Sequence, residues 1–177
     1  MKRIGIPGYV NSDGTSFGVG KTYLNFANKF GYPVIIMPHE ERADVDMLLL
    51  TGGLDVAPQF YGEVPNFYTS NTDVFKQFFL ERRLNNYIGV IPILGICLGA
   101  QQLNVRFGGR FNQHIIEPMC HPQSPDRRES AHSVKIVNSK FVNEPPEFQM
   151  KLFKVNSLHH QVIVSHDYEN NLAPDFI

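Results

Sequence analysis

One segment of this chain constrains its fold more than any other, because it joins a predicted strand to a predicted helix through a tight turn. The apolar run at residues 90–94 is typical of a buried strand, and residues 100–107 have the pattern of a helix. Between them stands a Gly-x-Cys-x-Gly sequence with Cys97 at its centre. This pattern predicts a nucleophile elbow, the sharp strand-to-helix turn in which hydrolases carry serine, here with cysteine.

The two glycines of this segment have a predicted steric role. Gly95 and Gly99 remove side chains that would clash with the neighbouring backbone in so tight a turn. The Cys97 thiol would then project at the carboxyl end of the sheet, at a helix N-terminus whose dipole lowers its pKa. The alternative for a lone cysteine in an apolar run is a buried structural residue. The flanking glycines at a strand–helix boundary favour the reactive thiol.

Short apolar strands and helices alternate along the first two thirds of the chain. We predict strands at residues 3–6, 33–37 and 47–50, and helices at residues 21–30 and 75–87. Further short strands are predicted at residues 132–137 and 153–157. The alternation favours an α/β fold, a doubly wound and mainly parallel sheet with helices on both faces. The ligand crevice of such a sheet lies beyond the carboxyl ends of its strands.

Length and charge exclude several classes of protein. The 177 residues suffice for one domain with a sizeable core. The 16 basic and 17 acidic residues give a net charge of −1, which is not the electrostatic footprint of a nucleic-acid partner or an anionic membrane. No apolar run approaches the length of about 20 residues that spans a bilayer. The two cysteines form no disulfide framework, so a cytoplasmic location is the expectation.

A pair of glycines follows the predicted strand at residues 47–50. Gly52 and Gly53 let backbone N–H groups point into a site with no side chain in the way. One such donor, together with the N–H of Leu98, would form an oxyanion hole, in which each donor is worth about 100- to 1000-fold in rate. The alternative is an ordinary Gly-Gly turn. Because Thr51 and Cys97 both follow strand carboxyl ends, the two segments can converge.

Two further patterns leave alternatives open. Residues 14–22 resemble a phosphate-binding loop, but Gly14 stands one position too early for that motif, so a flexible loop near the crevice is favoured. Residues 156–161 form a polar cluster whose histidines are either functional or merely solvated. Adjacent histidines on an extended chain point to opposite faces, and no other spacing matches a zinc template, so neither a metal nor a cofactor is expected. The zinc alternative would use four residues, namely His114, Cys120, His121 and His132.

Taken together and in order, the motifs resemble the class I glutamine amidotransferase-like superfamily, and most closely its γ-glutamyl-γ-aminobutyrate hydrolase branch. The resemblance covers nearly the whole chain. Its segments are Leu-Leu-Leu-Thr-Gly-Gly-Leu-Asp-Val at 48–56, Pro-Gln-Phe-Tyr-Gly-Glu at 58–63, Gly-Ile-Cys-Leu-Gly-Ala-Gln at 95–101, Leu-Asn-Val at 103–105, Gly-Gly-Arg-Phe-Asn-Gln-His-Ile at 108–115, His-Ser-Val at 132–134 and Val-Asn-Ser-Leu-His-His-Gln at 155–161.

The resemblance implies a flavodoxin-like α/β domain over residues 1–177 that cleaves a γ-glutamyl amide through a γ-glutamyl thioester. By position, Cys97 is the nucleophile, and the backbone of Gly53 and Leu98 forms the oxyanion hole. The α-amino and α-carboxylate groups of the γ-glutamyl unit would be held by four residues, namely Gln101, Asn156, Ser157 and His159. The implied partners are a small-molecule γ-glutamyl substrate and, as in synthetase-linked members, a subunit that accepts ammonia.

The chain departs from this pattern in three places. Leu98 stands where the hydrolase branch has arginine, as in synthetase-linked domains, which leaves open whether the substrate is glutamine or a γ-glutamyl amine. Residues 76–80 lack the Arg-Asp and later Glu that usually precede the elbow. A His-x-Glu pair, the family's general base and its orienting residue, is not found after Gln161. We therefore expect a domain without its C-terminal catalytic segment and with inefficient turnover on its own.

Three explanations of the missing pair remain open at this stage. The segment has been lost or lies outside this stretch of sequence, a partner supplies the base, or the protein is a catalytically inactive binding or scaffold subunit. In the first two cases Cys97 should react with iodoacetamide while Cys120, in a loop context, should not. A protein in which neither cysteine reacts would favour the binding subunit.

Overall fold

The structure is a computed structural model that describes residues 1–10, 15–69, 72–114, 129–135, 152–157 and 159–164. Its elements in chain order are β1 (Arg3–Pro7), β2 (Tyr9–Val10), β3 (Phe17–Gly18), α1 (Lys21–Ala27), β4 (Tyr32–Ile36), β5 (Met47–Leu50), a 3-10 turn (Pro58–Tyr61), α2 (Val74–Leu84), β6 (Ile93–Gly95), α3 (Leu98–Arg106), β7 (Arg110–Asn112), β8 (His132–Lys135), β9 (Leu152–Val155) and β10 (Val162–Val164).

A four-stranded parallel sheet with the order β4-β1-β5-β6 forms the centre of the protein. β1 pairs with β4 along its whole length, from Arg3 opposite Tyr32 to Pro7 opposite Ile36. β5 pairs with β6 so that its last residue, Leu50, lies opposite Gly95. The carboxyl ends of β5 and β6 therefore lie side by side, and the segments that follow them begin as neighbours. The predicted α/β class and parallel sheet are confirmed.

The two faces of the sheet carry different helices. Leu49 of β5 packs in one cluster with Ile4, Ile6 and the buried Ala27 of α1. Its neighbours Leu48 and Leu50 point the other way, because side chains alternate along a strand, and they pack with residues of α2 and α3. Helices thus cover both faces, as predicted for a doubly wound sheet. Burying each such aliphatic side chain contributes about 1.5–3 kcal/mol.

Three antiparallel pairs accompany the parallel sheet: β2 with β3, β7 with β10, and β8 with β9. The β7–β10 pair matters for the site, because Val162 lies opposite Asn112. This pairing holds the turn at residues 156–161, which comes just before β10, next to β7. Ile163 of β10 packs against Val56 and Leu98, so this pair also contacts the beginning of α3. None of the helices in the described part of the chain is long and apolar enough to cross a bilayer.

The strand before Cys97 begins later than predicted. The apolar run at residues 90–94 suggested a strand over its whole length, but β6 begins only at Ile93. The N–H groups of Val90 and Ile91 instead donate to the carbonyl of Tyr87, in the turn that follows α2. Val90 is accordingly exposed, which an apolar pattern alone does not reveal. The strand that precedes Cys97 is therefore only three residues long.

Candidate active site

Cys97 lies in the turn between β6 and α3 with a strained backbone. Its φ of 53° and ψ of −111° make it the only non-glycine residue with positive φ in the described ranges. Such a conformation costs an L-residue about 1–3 kcal/mol and persists only where the surroundings fix it. Here the Ile96 N–H donates to the Leu50 carbonyl and the Gln101 N–H to the Cys97 carbonyl, both at 3.0 Å. The residue as a whole is exposed, so the turn places Cys97 at the protein surface.

The glycines on either side of Cys97 are required by close backbone packing. A Cβ on Gly99 would lie 2.5 Å from the carbonyl oxygen of Leu50, and a Cβ on Gly95 would lie 2.6 Å from the amide nitrogen of Ala100. Both distances are shorter than any real Cβ contact, and both partners are backbone atoms that cannot rotate away. The steric role that the spacing predicts for the two glycines agrees with these contacts.

Two backbone N–H groups face the Cys97 sulfur, and they belong to Leu98 and Gly53. These are the two residues predicted to form an oxyanion hole, so the structure brings the predicted donors together around the thiol. The N–H of the adjacent Gly52 is engaged elsewhere, donating to the hydroxyl oxygen of Tyr23 at 2.9 Å. Of the two glycines after β5, only Gly53 thus directs its N–H at the sulfur. Their function as an oxyanion hole remains a prediction.

Burial raises the pKa of the Cys97 thiol above its ordinary value, although the residue as a whole is exposed. The N–H groups of Leu98 and Gly53 lower this pKa, and the carboxylate of Asp55 raises it, but loss of solvent around the sulfur is the largest influence. The prediction of a lowered pKa at the helix N-terminus was therefore wrong. The dipole of one short helix does not outweigh the desolvation of a thiolate. Near neutral pH the resting group is the thiol.

Two of the predicted substrate-binding residues meet at one carbonyl. Gln101 is buried, and its Nε2 donates to the backbone carbonyl of Gln161 at 3.2 Å. The His159 Nδ1 lies 3.0 Å from the same oxygen, which makes it a second donor in the matching tautomer. Asn156 is exposed and Ser157 buried just after β9. The structure thus joins Gln101 to the turn at residues 156–161, while the binding of substrate by these residues stays a prediction.

A chain of polar contacts runs from Asp55 through His160 to His114. The Nε2 of His160 lies 3.0 Å from Oδ2 of Asp55, and its Nδ1 lies 3.2 Å from Nδ1 of His114. The His114 ring in turn stacks on Tyr68, with ring centroids 3.9 Å apart. Asp55 belongs to the same loop as Gly53, so this chain begins at the loop that faces Cys97. Both ring nitrogens of His160 are therefore engaged by neighbours other than the Cys97 sulfur.

Neither His160 nor Tyr61 is suited to serve as the base for Cys97. In its present orientation His160 has no ring nitrogen left to accept the thiol proton. Burial, followed by the carboxylates of Glu63 and Asp55, raises the pKa of Tyr61 to about 12, so its hydroxyl is protonated near neutral pH. The site therefore pairs a thiol with backbone donors, and we assign no general base to these two side chains.

Two buried glutamines hold the loop that carries Gly53 and Asp55. Gln161 accepts the Val56 N–H at 2.9 Å with its Oε1 and donates from Nε2 to the Val56 carbonyl at 3.3 Å. From α2, Gln77 accepts the Ala57 N–H at 2.8 Å and donates to the Asp55 carbonyl. Each side-chain amide thus pairs with the backbone as a neighbouring strand would. Sequence spacing gave no sign of these contacts, since Gln161 and Val56 are 105 residues apart.

Replacing Gln161 with alanine should destabilise the protein strongly. The change leaves the N–H and the carbonyl of Val56 buried without partners, and each unpaired group costs about 1–3 kcal/mol. We expect chemical denaturation to show a loss of about 2–4 kcal/mol in the free energy of unfolding. Gln59→Ala, at an exposed position of the 3-10 turn, is the matched control and should change it by less than about 0.5 kcal/mol. Equal effects of the two changes would contradict the proposed anchoring of the loop.

Within the described ranges, no group of three or more His, Cys, Asp or Glu side chains could hold a metal ion. Of the residues in the zinc alternative, Cys120 and His121 lie outside these ranges. Most of the loop that resembled a phosphate-binding site is described. Its Phe17–Gly18 segment pairs with Tyr9–Val10 as a short antiparallel hairpin, while Gly14 is outside the described residues.

Comparison with known families gives a match over almost the whole chain. The sequence model of the family described as Peptidase C26 matches residues 4–176. That span includes the elbow, the Gly-Gly loop and the turn at residues 156–161.

Several relatives with similar sequences carry glutamine amidotransferase names. A protein of Lactococcus lactis subsp. lactis provisionally named as glutamine amidotransferase-like, YvdE, is 35% identical over 155 residues, covering 81% of this chain and 64% of the relative. Its homologue from Lactococcus lactis subsp. cremoris is 33% identical over 81% of this chain and 80% of its own length. A provisionally named glutamine amidotransferase of Schizosaccharomyces pombe is 34% identical over 75% of this chain and 55% of that protein. The chain thus spans between about half and four fifths of these relatives.

Proposed function

The chain belongs to the Peptidase C26 family and is glutamine amidotransferase-like, and on that basis we propose that it hydrolyses a γ-glutamyl amide. The substrate class is glutamine or a small γ-glutamyl amine. One observation carries the proposal: an exposed cysteine in a strained turn, with the N–H groups of Leu98 and Gly53 directed at its sulfur. A thiol alone would suit many reactions, whereas a thiol with two preorganised donors suits attack on a carbonyl.

In the proposed reaction the Cys97 thiolate attacks the γ-carbonyl carbon of the substrate. The carbonyl oxygen becomes an oxyanion, which the N–H groups of Gly53 and Leu98 stabilise. The C–N bond then breaks, the amine leaves with an added proton, and a γ-glutamyl thioester remains on Cys97. Water hydrolyses this thioester to glutamate and restores the thiol. The raised pKa of Cys97 means that formation of the thiolate needs a proton acceptor, which a bound substrate, a further segment or a partner would have to supply.

Substrate recognition in this proposal uses the residues around the turn at 156–161. Gln101, Asn156, Ser157 and His159 would hold the α-amino and α-carboxylate groups of the γ-glutamyl unit. Support comes from the contact of Gln101 and His159 with one carbonyl, which places both at a single locus. The proposal includes a subunit that accepts the released ammonia, and a cytoplasmic location in which the thiol stays reduced.

A second candidate is a catalytically inactive binding or scaffold subunit. The raised pKa of Cys97 and the engagement of both ring nitrogens of His160 favour it, because both lower the reactivity of the site. Such a protein would bind the same γ-glutamyl ligand without breaking its amide bond.

A panel of substrates separates the two candidates. Purified protein is incubated with glutamine, γ-glutamyl-γ-aminobutyrate and other γ-glutamyl amines, and release of glutamate and amine is followed. We expect release from at least one γ-glutamyl amide and none from asparagine, whose carbonyl lies one methylene closer to the α-carbon. Calorimetric binding of a γ-glutamyl amide without any release would favour the inactive subunit. If the protein neither binds nor cleaves any γ-glutamyl amide, both candidates are contradicted.

A further inference from the structure

The backbone at Gly52 is held by a side chain of helix α1. The phenol oxygen of Tyr23 accepts the N–H of Gly52 at 2.9 Å. A Cβ placed on Gly52 would lie 2.5 Å from this oxygen and 3.5 Å from the Cβ of Cys97. The phenol and the thiol-bearing residue therefore both approach Gly52 at the position where a side chain would lie. Glycine is needed there because any side chain would push the hydroxyl away.

The helix that carries Tyr23 is anchored in the core. Ala27, one turn further along α1, is 1% exposed and packs with Ile4, Ile6 and Leu49 of the sheet. Leu24 and Phe26 of the same helix pack against this cluster. Leu49 belongs to the strand that leads directly into the Gly52–Gly53 loop. The helix that carries the phenol and the strand that carries the loop are therefore anchored in the same core cluster.

Both ends of the loop are thus fixed around Gly53. Tyr23 holds Gly52 on one side, and Gln77 and Gln161 hold the backbone from Asp55 to Ala57 on the other. Between these anchors the N–H of Gly53 is directed at the Cys97 sulfur. Glycine backbones are the least restricted of all, so without an acceptor for the Gly52 N–H the two peptides that flank Gly52 would have other accessible orientations. The order in the loop is consequently imposed by its neighbours and not by its own sequence.

We propose that Tyr23 is a positioning residue of the Cys97 site, whose phenol oxygen fixes the backbone at Gly52 so that the next N–H along the chain, that of Gly53, faces the sulfur. Its effect on catalysis rests on the proposed function, in which the same N–H stabilises the oxyanion. Its effect on the thiolate does not, because an N–H directed at sulfur stabilises the thiolate whatever the substrate. The two effects can therefore be measured apart.

The decisive variant is Tyr23→Phe, which keeps the ring and removes only the acceptor oxygen. The matched control is Tyr32→Phe, at an exposed tyrosine of β4 at the edge of the sheet. The rate of Cys97 alkylation by iodoacetamide is measured against pH, with the adduct mapped to its peptide. We expect Tyr23→Phe to slow alkylation near neutral pH by about two- to tenfold, which corresponds to the net free energy of one hydrogen bond. The midpoint of the pH profile of Tyr23→Phe should lie at higher pH than that of the wild type. At alkaline pH the two alkylation rates should become equal.

Gly52→Ala is the second variant, needed if Tyr23→Phe fails to fold, and it should shift the profile in the same direction by displacing the hydroxyl. Profiles of both variants that coincide with that of Tyr32→Phe would overturn the proposal. In the substrate assay, Tyr23→Phe should lower kcat more than it changes KM. A wild-type protein inactive on every γ-glutamyl amide would refute the proposed function, while the alkylation profile would still decide the role of Tyr23.

Discussion

Cys97→Ala should abolish hydrolysis of any γ-glutamyl amide that the wild-type protein cleaves. Without sulfur no thioester can form, and what remains is the contribution of binding and of the backbone donors. In hydrolases with a comparable nucleophile, its removal lowers kcat by about 10⁶-fold, and we expect a loss of at least about 10⁴-fold here. The measurement is release of glutamate under single-turnover conditions, where slow product release does not hide the chemical step.

The fold should survive this substitution, because Cys97 as a whole is exposed and alanine is smaller. Circular dichroism and the free energy of unfolding of Cys97→Ala are therefore expected to match those of the wild type within about 0.5 kcal/mol. Cys120→Ser is the matched control for loss of a thiol and should retain activity. An active Cys97→Ala protein, or an inactive Cys120→Ser protein of normal stability, would contradict the assignment of the nucleophile.

Gly99→Ala should be among the most destabilising single substitutions in the chain. The added methyl group would lie 2.5 Å from the carbonyl oxygen and 2.6 Å from the Cβ of Leu50, both of them buried. Relief requires that α3 move away from β5, which breaks the packing of the elbow on the sheet. Overpacking of this kind costs about 1–3 kcal/mol, and more when the backbone cannot yield. We expect about 3 kcal/mol or more in the free energy of unfolding, measured by chemical denaturation.

Gly18→Ala provides the matched control for Gly99→Ala. A Cβ on Gly18 would meet nothing within 4 Å, and its φ lies outside the left-handed region. Its free energy of unfolding should differ from that of the wild type by less than about 0.5 kcal/mol. A Gly99→Ala protein as stable as Gly18→Ala would show that α3 can shift freely at this contact, and the elbow would then not be a rigid element.

Local pattern was sufficient for the elements that are decided by local sterics and burial. The strand Met47–Leu50 was predicted with its observed bounds, since four consecutive apolar residues in a two-sided sheet have few other options. The Gly-x-Cys-x-Gly spacing likewise predicted the turn at Cys97, because a Cβ on Gly95 would meet the backbone of Ala100 and a Cβ on Gly99 would meet that of Leu50. The late start of β6 at Ile93 was missed because its first apolar residues take part in a turn instead.

The rest of the site depends on contacts between distant parts of the chain. Tyr23 reaches Gly52 over 29 residues and Gln161 reaches Val56 over 105, and no local spacing encodes either pairing. The direction of the Cys97 pKa was missed for a related reason. A helix N-terminus can be located from sequence, whereas the desolvation that outweighs it is a property of the assembled crevice.

The central claim is that Cys97 carries the γ-glutamyl group during turnover, and direct detection of that adduct tests it. The protein is mixed with a γ-glutamyl amide, quenched in acid at early times and digested, and the peptides are analysed by mass spectrometry. We predict that the peptide containing Cys97 gains the mass of one γ-glutamyl group, that hydroxylamine removes it, and that Cys97→Ala shows no such gain. Release of glutamate at full rate with the adduct on another residue, or with no adduct formed at any time, would contradict the account.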